Sequence, residues 1–331
     1  MKRYVLFIAA VALFGCCERA SAKDKVLFSL NWIPYGLHYG IFAAEGQGFY
    51  DAAGLELDIQ RGYGSGETVK RVAIGSAEIG MADMASVIVG RGNGLLVKQI
   101  AVILDRSGDA IYYLKGTGIS APKDLAGRTL GATAGETSLL LLPAFGSGAG
   151  FDAKAINIVN LTPPAKIPSL VTRKVDSMVT FTTEEPAVLA GGQKANIEIG
   201  RFLFSDYGVD FYSIGLIAND EILEKKADVV KRVVDATMRG YAWAIANPEA
   251  AADIFVKRFP ESSRDLTLAQ WKITMQHMLT ERTRARGLGY IDREKMAKTL
   301  ELIKKYQDVK GDVGVADVYS MNFLSPIKAA N

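Results

Sequence analysis

Val26-Leu27-Phe28-Ser29-Leu30 is a short apolar run, and Leu37 to Gly48 is an apolar stretch of helical length. After a turn at Asp51-Ala52-Ala53-Gly54, Leu55-Glu56-Leu57-Asp58-Ile59-Gln60 alternates apolar and polar residues. A period of two marks a half-buried strand, and the earlier run is short enough to be a strand as well. The theme continues with a helix over Glu67 to Gly75, a buried strand Ile79-Gly80-Met81-Ala82, a helix over Ala85 to Arg91 and a strand from Lys98 to Leu104. Strands alternating with helices predict an α/β fold, with a mostly parallel sheet covered on both faces.

The middle of the chain repeats this order. Ala121 to Leu125 reads as a helical turn, and Thr129 to Ala132, Ile156 to Asn160 and Ser177 to Phe181 read as strands. Helices are expected over Glu136 to Phe145, Ile167 to Arg173 and Pro186 to Ala190, with a further strand at Arg201-Phe202-Leu203-Phe204. Beyond Tyr212 to Ile217 long helical patterns take over: Glu221 to Ala246, Pro248 to Arg258, Leu266 to Glu281 and Arg293 to Tyr306. Leu223, Val230, Val233, Met238, Tyr241 and Ile245 fall near helical spacing and form a core stripe. These C-terminal helices show no site signal, and Glu281 to Arg286 reads as a solvated, charged turn. Two segments, Asp105 to Leu114 and Asp206 to Ile217, join one βα block to the other. Two crossing strands make the first lobe discontinuous: 23–111 plus 214–331 form lobe I, and 112–213 form lobe II. Such lobes close on a ligand by hinge motion.

The chain has 331 residues, 49% apolar and 23% charged, with a formal net charge of +3. This composition excludes a disordered chain, and the absence of long basic runs argues against nucleic acid as a partner. Lys2 and Arg3 precede an apolar run, Tyr4 to Phe14, and Ala20-Ser21-Ala22 is an A-x-A site. Residues 1–22 therefore read as a signal peptide cut before Lys23, which predicts export to the periplasm. The alternative is a lipobox, Leu13-Phe14-Gly15-Cys16, leaving the protein anchored through an acylated Cys16. Cleavage after Ala22 removes Lys2, Arg3, Arg19 and Glu18 together with both cysteines, Cys16 and Cys17, so the mature chain carries a net +1. Thiol catalysis and disulfides are then excluded, and two distant histidines leave little for a metal site. Neither a cofactor nor a metal is expected.

Candidate binding residues cluster where strands end. Asn31 and Trp32 follow the first strand, and ligands of open α/β sheets bind outside the carboxyl ends of strands. A planar ring stacked on Trp32 would gain about 0.5–1.5 kcal/mol beyond area burial; burial in the lobe core is the other reading. Tyr35 lies in the turn that follows, and His38 is either a ligand partner or a solvent-facing helix start. Gly62-Tyr63-Gly64-Ser65-Gly66-Glu67 joins a strand to a helix, so Ser65 and Gly66 can approach a ligand, or simply cap the helix. Gly135, Glu136, Thr137 and Ser138 form the matching junction in lobe II, with a Thr133–Glu136 capping box as the alternative. Asp83, Thr182 and Glu184 end strands, and buried carboxylates there suit N–H donors. Tyr207 and Tyr212 lie at the second crossing, where either could close over a ring.

The string Leu30-Asn31-Trp32-Ile33-Pro34, followed by His38, Ala43-Ala44 and Gly48-Phe49-Tyr50…Gly54-Leu55, resembles the N-terminal signature of the NMT1/THI5-like periplasmic solute-binding proteins. Gly75-Ser76-Ala77-Glu78-Ile79-Gly80-Met81-Ala82-Asp83, Lys115 to Ile119 and Leu125 to Gly131 are similar to further segments of that family. The resemblance covers roughly residues 25–255. It implies a type II periplasmic binding fold, a small-molecule ligand, an inner-membrane ABC permease as partner, and a monomer. Family ligands include a pyrimidine precursor of thiamine, riboflavin, sulfonates and nitrate. Some relatives are pyrimidine synthases that use a Lys, a His and a cysteine-rich run. Those positions fall here at Ala82, Ser86 and near Phe211-Tyr212-Ser213, and their phosphate loop is only loosely echoed by Gly135 to Ser138. The acidic ligand residue of the pyrimidine binders falls near Thr182 to Glu184.

The expectation is thus a non-enzymatic carrier that captures a small planar nitrogen heterocycle similar to a thiamine pyrimidine precursor. The alternatives are an alkanesulfonate, nitrate, riboflavin or aromatic carboxylate as ligand, a pyrimidine synthase-like enzyme, or a sensory protein that signals to a membrane receptor.

Overall fold

The computed structural model describes residues 22–325 and 327–328. The leader expectation, including Cys16, lies outside the described residues except for Ala22. Among the described residues, ten strands form two five-stranded sheets. The first contains β1 (Asp24–Ser29), β2 (Leu55–Gln60), β3 (Ile79–Asp83) and β4 (Val97–Val102). The second contains β5 (Asp109–Leu114), β6 (Thr129–Ala132), β7 (Asn157–Asn160), β8 (Ser177–Phe181) and β9 (Ile199–Leu203). β10 (Ile214–Asn219) returns to the first sheet.

The two sheets share one topology. Their orders are β2-β1-β3-β10-β4 and β7-β6-β8-β5-β9. In each, three strands pair parallel and the fourth position holds an antiparallel strand, β10 or β5, that has just crossed from the other half. Each crossing strand is buried along its whole length inside a sheet and is mostly apolar, with a polar residue only at one end, Asp109 or Asn219. β5 lies wholly in the second sheet, so the 111/112 boundary falls inside a strand. The crossings themselves, 103–108 and 204–213, run side by side: the Ile103 and Leu104 N–H groups donate to the Ile214 carbonyl at 2.8 and 2.9 Å, and the Ser213 N–H donates to the Leu104 carbonyl at 3.2 Å.

The core has three parts. One lies under lobe I against the helices Tyr39–Gly46, Ala227–Ala246, Pro248–Arg258 and Arg264–Met278. A second runs through both lobes, from Met84 and Val87 by way of Phe211 and Tyr212 to Leu130 and Phe145. The third covers the outer face of the second sheet. Helix Tyr39–Gly46 meets helix Ala227–Ala246 at glycines: a Cβ on Gly40 would enter the Tyr241 ring, and one on Gly240 would sit 2.1 Å from the Gly40 carbonyl oxygen.

Two expectations change. The pattern from Glu221 to Ala246 is two helices, Asp220–Lys225 and Ala227–Ala246, because Lys226 leaves helical geometry at φ −127°. Glu281 to Arg286 is a helix rather than a solvated turn. Its Arg282 donates to both carboxylate oxygens of buried Asp105, at 3.0 and 2.8 Å, and the Thr280 hydroxyl donates to the same carboxylate at 2.6 Å. Lys295 adds a bond to the Asp105 carbonyl. The C-terminal helices thus clamp the outgoing crossing.

Candidate functional site

The carboxyl ends of β1, β6 and β8 face one another between the lobes. Asn31, Trp32, Tyr35, Gly64 and Ser65 from lobe I meet Glu136, Thr137, Ser138, Thr180, Phe181 and Glu184 from lobe II around a narrow cavity of about 30 Å³. Eight residues singled out in the sequence therefore share one wall: Asn31, Trp32, Tyr35, Ser65, Glu136, Thr137, Ser138 and Glu184.

The cleft is closed by bonds between lobes. The Trp32 indole N–H donates to Glu184 Oε1 at 3.1 Å, and Glu184 Oε2 accepts from the Thr180 hydroxyl. The Tyr35 and Thr183 hydroxyls pair at 2.9 Å, and those of Ser86 and Thr137 at 3.0 Å. The Gly66 N–H donates to the Gly135 carbonyl at 3.1 Å. Gly135 has φ +83°, and a Cβ on Gly64 (φ +133°) would lie 2.9 Å from that same carbonyl oxygen, so the junctions need glycine to touch. Burial holds the Tyr35 hydroxyl protonated by raising its pKa well above the usual value.

His38 does not line the cavity; it sits behind it, fully buried. The Tyr35 N–H donates to His38 Nδ1 at 3.2 Å, which leaves the proton on Nε2 to donate to Asn31 Oδ1 at 3.1 Å. Burial pushes its pKa down to about 3, so His38 is a neutral ring that fixes the Asn31 amide.

Glu136 is the N-cap residue of helix Thr137–Ala149, but the Thr133–Glu136 capping box does not form. Thr133 Oγ1 is buried without a partner, and the Glu136 carboxylate turns instead to Lys166, with Oε2 at 2.7 Å from Nζ. Lys166 is itself buried, and its ammonium lies 5.3 Å from the centre of the Trp32 ring. Glu136 Oε1 has no partner. Burial raises the Glu136 pKa to about 7, against the lowering effect of Lys166.

The other sequence candidates stand apart from this cavity. Asp83 caps helix Met84–Gly92 through the Ala85 N–H and accepts from the Ser213 hydroxyl at 2.7 Å. Burial and the nearby Asp109 hold its pKa up. Thr182 pairs with His277 Nε2 at 2.8 Å. Tyr207 packs on Phe145, ring centres 5.2 Å apart, and Tyr212 is buried, accepting from the Asp292 N–H at 2.8 Å. Neither tyrosine can close over a ligand ring here, because each is spent on packing within the crossing. Two residues around the cleft, outside the cavity lining, carried no legible signal. Lys166 is one lysine without a motif around it. His277, on a helix read as plain core, reaches lobe II because helix Arg264–Met278 spans both halves, with Gln270 accepting from the Gly36 N–H at 3.2 Å.

The family profile described as NMT1/THI5 like matches residues 36–251. The chain belongs to the NMT1/THI5-like family. Within and around this family, the formylaminopyrimidine-binding protein of Halalkalibacterium halodurans is 22% identical, over 95% of this chain and 96% of that protein. The 4-amino-5-hydroxymethyl-2-methylpyrimidine phosphate synthase THI5 of Saccharomyces cerevisiae is 23% identical, over 76% of each chain. Among solved structures, the periplasmic aliphatic sulphonate-binding protein SsuA from Escherichia coli superposes with a TM-score of 0.64 at 14% identity, over 88% of this chain and 96% of that one. The two-lobe periplasmic-binding-protein fold expected of an NMT1/THI5-like chain is the fold observed. The same fold carries binders and a synthase, so chemistry must be argued from the site.

Proposed function

We propose that this protein is the exported, periplasmic substrate-binding component of an ABC importer, and that it captures a small planar nitrogen heterocycle by closing lobe I, which carries β1–β4 and β10, over lobe II, which carries β5–β9. One observation carries the ligand class: the cavity is lined by Trp32 and by two carboxylates, Glu136 and Glu184, with neither Lys nor Arg among its lining residues. A sulfonate or nitrate site needs fixed positive charge or converging N–H donors. Acceptors beside a flat indole suit a ring bearing amino groups. Similarity to a formylaminopyrimidine-binding protein supports the same reading.

A carrier role, without chemistry, fits the residues present. The resemblance to the synthase relatives puts Ala82 and Ser86 where those proteins use Lys and His. His38, behind the cavity, is neutral and committed on both nitrogens. Closure would be driven by contacts a ligand makes with both lobes at once. The protein would work as a monomer, delivering its ligand to a membrane permease.

Isothermal titration of the purified protein against aminopyrimidines, riboflavin, alkanesulfonates, nitrate and aromatic carboxylates tests this. Tight binding of an aminopyrimidine is the expected result. Tight binding of a sulfonate alone would overturn it.

A further inference from the structure

In the buried pair Glu136–Lys166, Glu136 lines the cavity and Lys166 stands behind it; an apolar pair of similar volume could replace both together at little cost, because a buried ion pair stabilises weakly against its desolvation. Its geometry is asymmetric. Lys166 Nζ is 2.7 Å from Oε2 and rests over the Trp32 ring, while Oε1 of the same carboxylate is buried with no partner, and Glu136 is one of the residues around the cavity. A buried acceptor left unmade costs free energy that a ligand N–H would recover.

We infer that Lys166 is a positioning residue that holds Glu136 as a carboxylate with Oε1 presented to the ligand, so that the site selects an uncharged heterocycle donating an N–H to that atom. This rests on the heterocycle reading above and deepens it. The charge count supports it. Lys166 and Glu136 cancel, so Glu184 leaves the cavity wall negative, and an anion would meet both Glu184 and Oε1. The groups facing Glu136 are Lys166 from helix Lys166–Val171 and Glu184 from the turn Thr182–Glu184. Burial raises the Glu136 pKa most, Lys166 and the Thr133 backbone lower it and Glu184 raises it, which leaves it at about 7. Ligand affinity then falls as pH drops through 7, because protonation at Glu136 removes an acceptor.

Calorimetric titration of the full protein with cytosine and other uncharged aminopyrimidines, and with ethanesulfonate, at pH 6.0 and 8.0 tests the inference. The wild type is expected to bind the aminopyrimidine roughly fivefold or more tighter at pH 8.0. Lys166→Met should move the pH midpoint upward, whereas a purely structural lysine would leave it in place. Lys166→Met leaves a buried carboxylate unpaired and can fail to fold, so the double variant Glu136→Gln/Lys166→Met, which removes both charges, serves as the second arm. It should fold, bind about tenfold more weakly at pH 8.0, and lose the pH dependence. An aminopyrimidine bound by the double variant with wild-type affinity and pH profile would overturn this inference alone. Binding of ethanesulfonate and of no heterocycle would overturn the functional reading with it.

Discussion

Trp32 and Glu184 are 152 positions apart in the chain, yet the indole N–H of one donates to the carboxylate of the other at 3.1 Å across the cleft. The bond joins the end of β1 in lobe I to the end of β8 in lobe II. It is therefore both part of the cavity wall and part of the latch.

Trp32→Phe keeps an aromatic face and removes the N–H. Losing a hydrogen bond to a charged group costs about 1.5–3 kcal/mol, roughly ten- to 100-fold in Kd. Trp32→Ala should weaken binding further by removing the stacking surface. Titration calorimetry against the bound aminopyrimidine measures both, and unchanged affinity in Trp32→Ala would remove this residue from the site.

Gly66→Ala places a Cβ 3.2 Å from the Gly135 carbonyl oxygen, a contact that exists only when the lobes meet. The open form is untouched. Ligand affinity should fall by about 1–2 kcal/mol through overpacking of the closed form alone. Small-angle scattering should show a larger radius of gyration for the variant at equal ligand concentration, with the melting temperature of the free protein nearly unchanged.

Buried neutral His38 makes stability depend on pH. Its folded pKa of about 3 lies below the ordinary value of 6.5. Between these values the unfolded chain binds a proton that the folded one does not, so stability falls as pH falls below 6.5. Relative to His38→Gln, the wild type should lose about 2 kcal/mol between pH 7 and pH 5. Urea denaturation of both proteins at the two pH values gives that difference directly; parallel losses would show that His38 is protonated in the fold.

Asp105 is fully buried at the outgoing crossing and binds Arg282 and the Thr280 hydroxyl. Asp105→Ala strands these partners and should cost about 3–5 kcal/mol in denaturant unfolding. Arg282→Ala leaves the buried Asp105 carboxylate with only the Thr280 hydroxyl and the more distant Lys295 and should cost about 3 kcal/mol. Equal, small losses from both would mean that the clamp contributes little.

Much of the fold was legible from periodicity. Leu55–Gln60, Thr129–Ala132, Pro248–Arg258 and Arg293–Tyr306 form the elements their patterns predict, to the residue. Local signals failed where a neighbour in space decided the outcome. Glu281–Arg286 reads as solvated charge because Asp105, its partner, lies 177 residues away from Arg282. Thr133 and Glu136 have capping-box spacing, but Lys166 offers the carboxylate a stronger, charged partner. Tyr207 and Tyr212 sit near the cleft in sequence, and core packing turns both rings away.

By itself, then, the sequence determined the alternation of strands and helices, the two crossings and the clustering of polar residues at strand ends, because each depends on side-chain spacing within a few residues. It also carried the family string around Trp32. Tertiary structure alone decided that β5 and β10 enter the opposite sheets antiparallel, that His38 stands behind Asn31, and that Lys166 pairs with Glu136 beneath Trp32. Those outcomes depend on two lobes meeting. Contacts across a closed cleft join residues from distant parts of the chain, and no local period encodes which of them will touch.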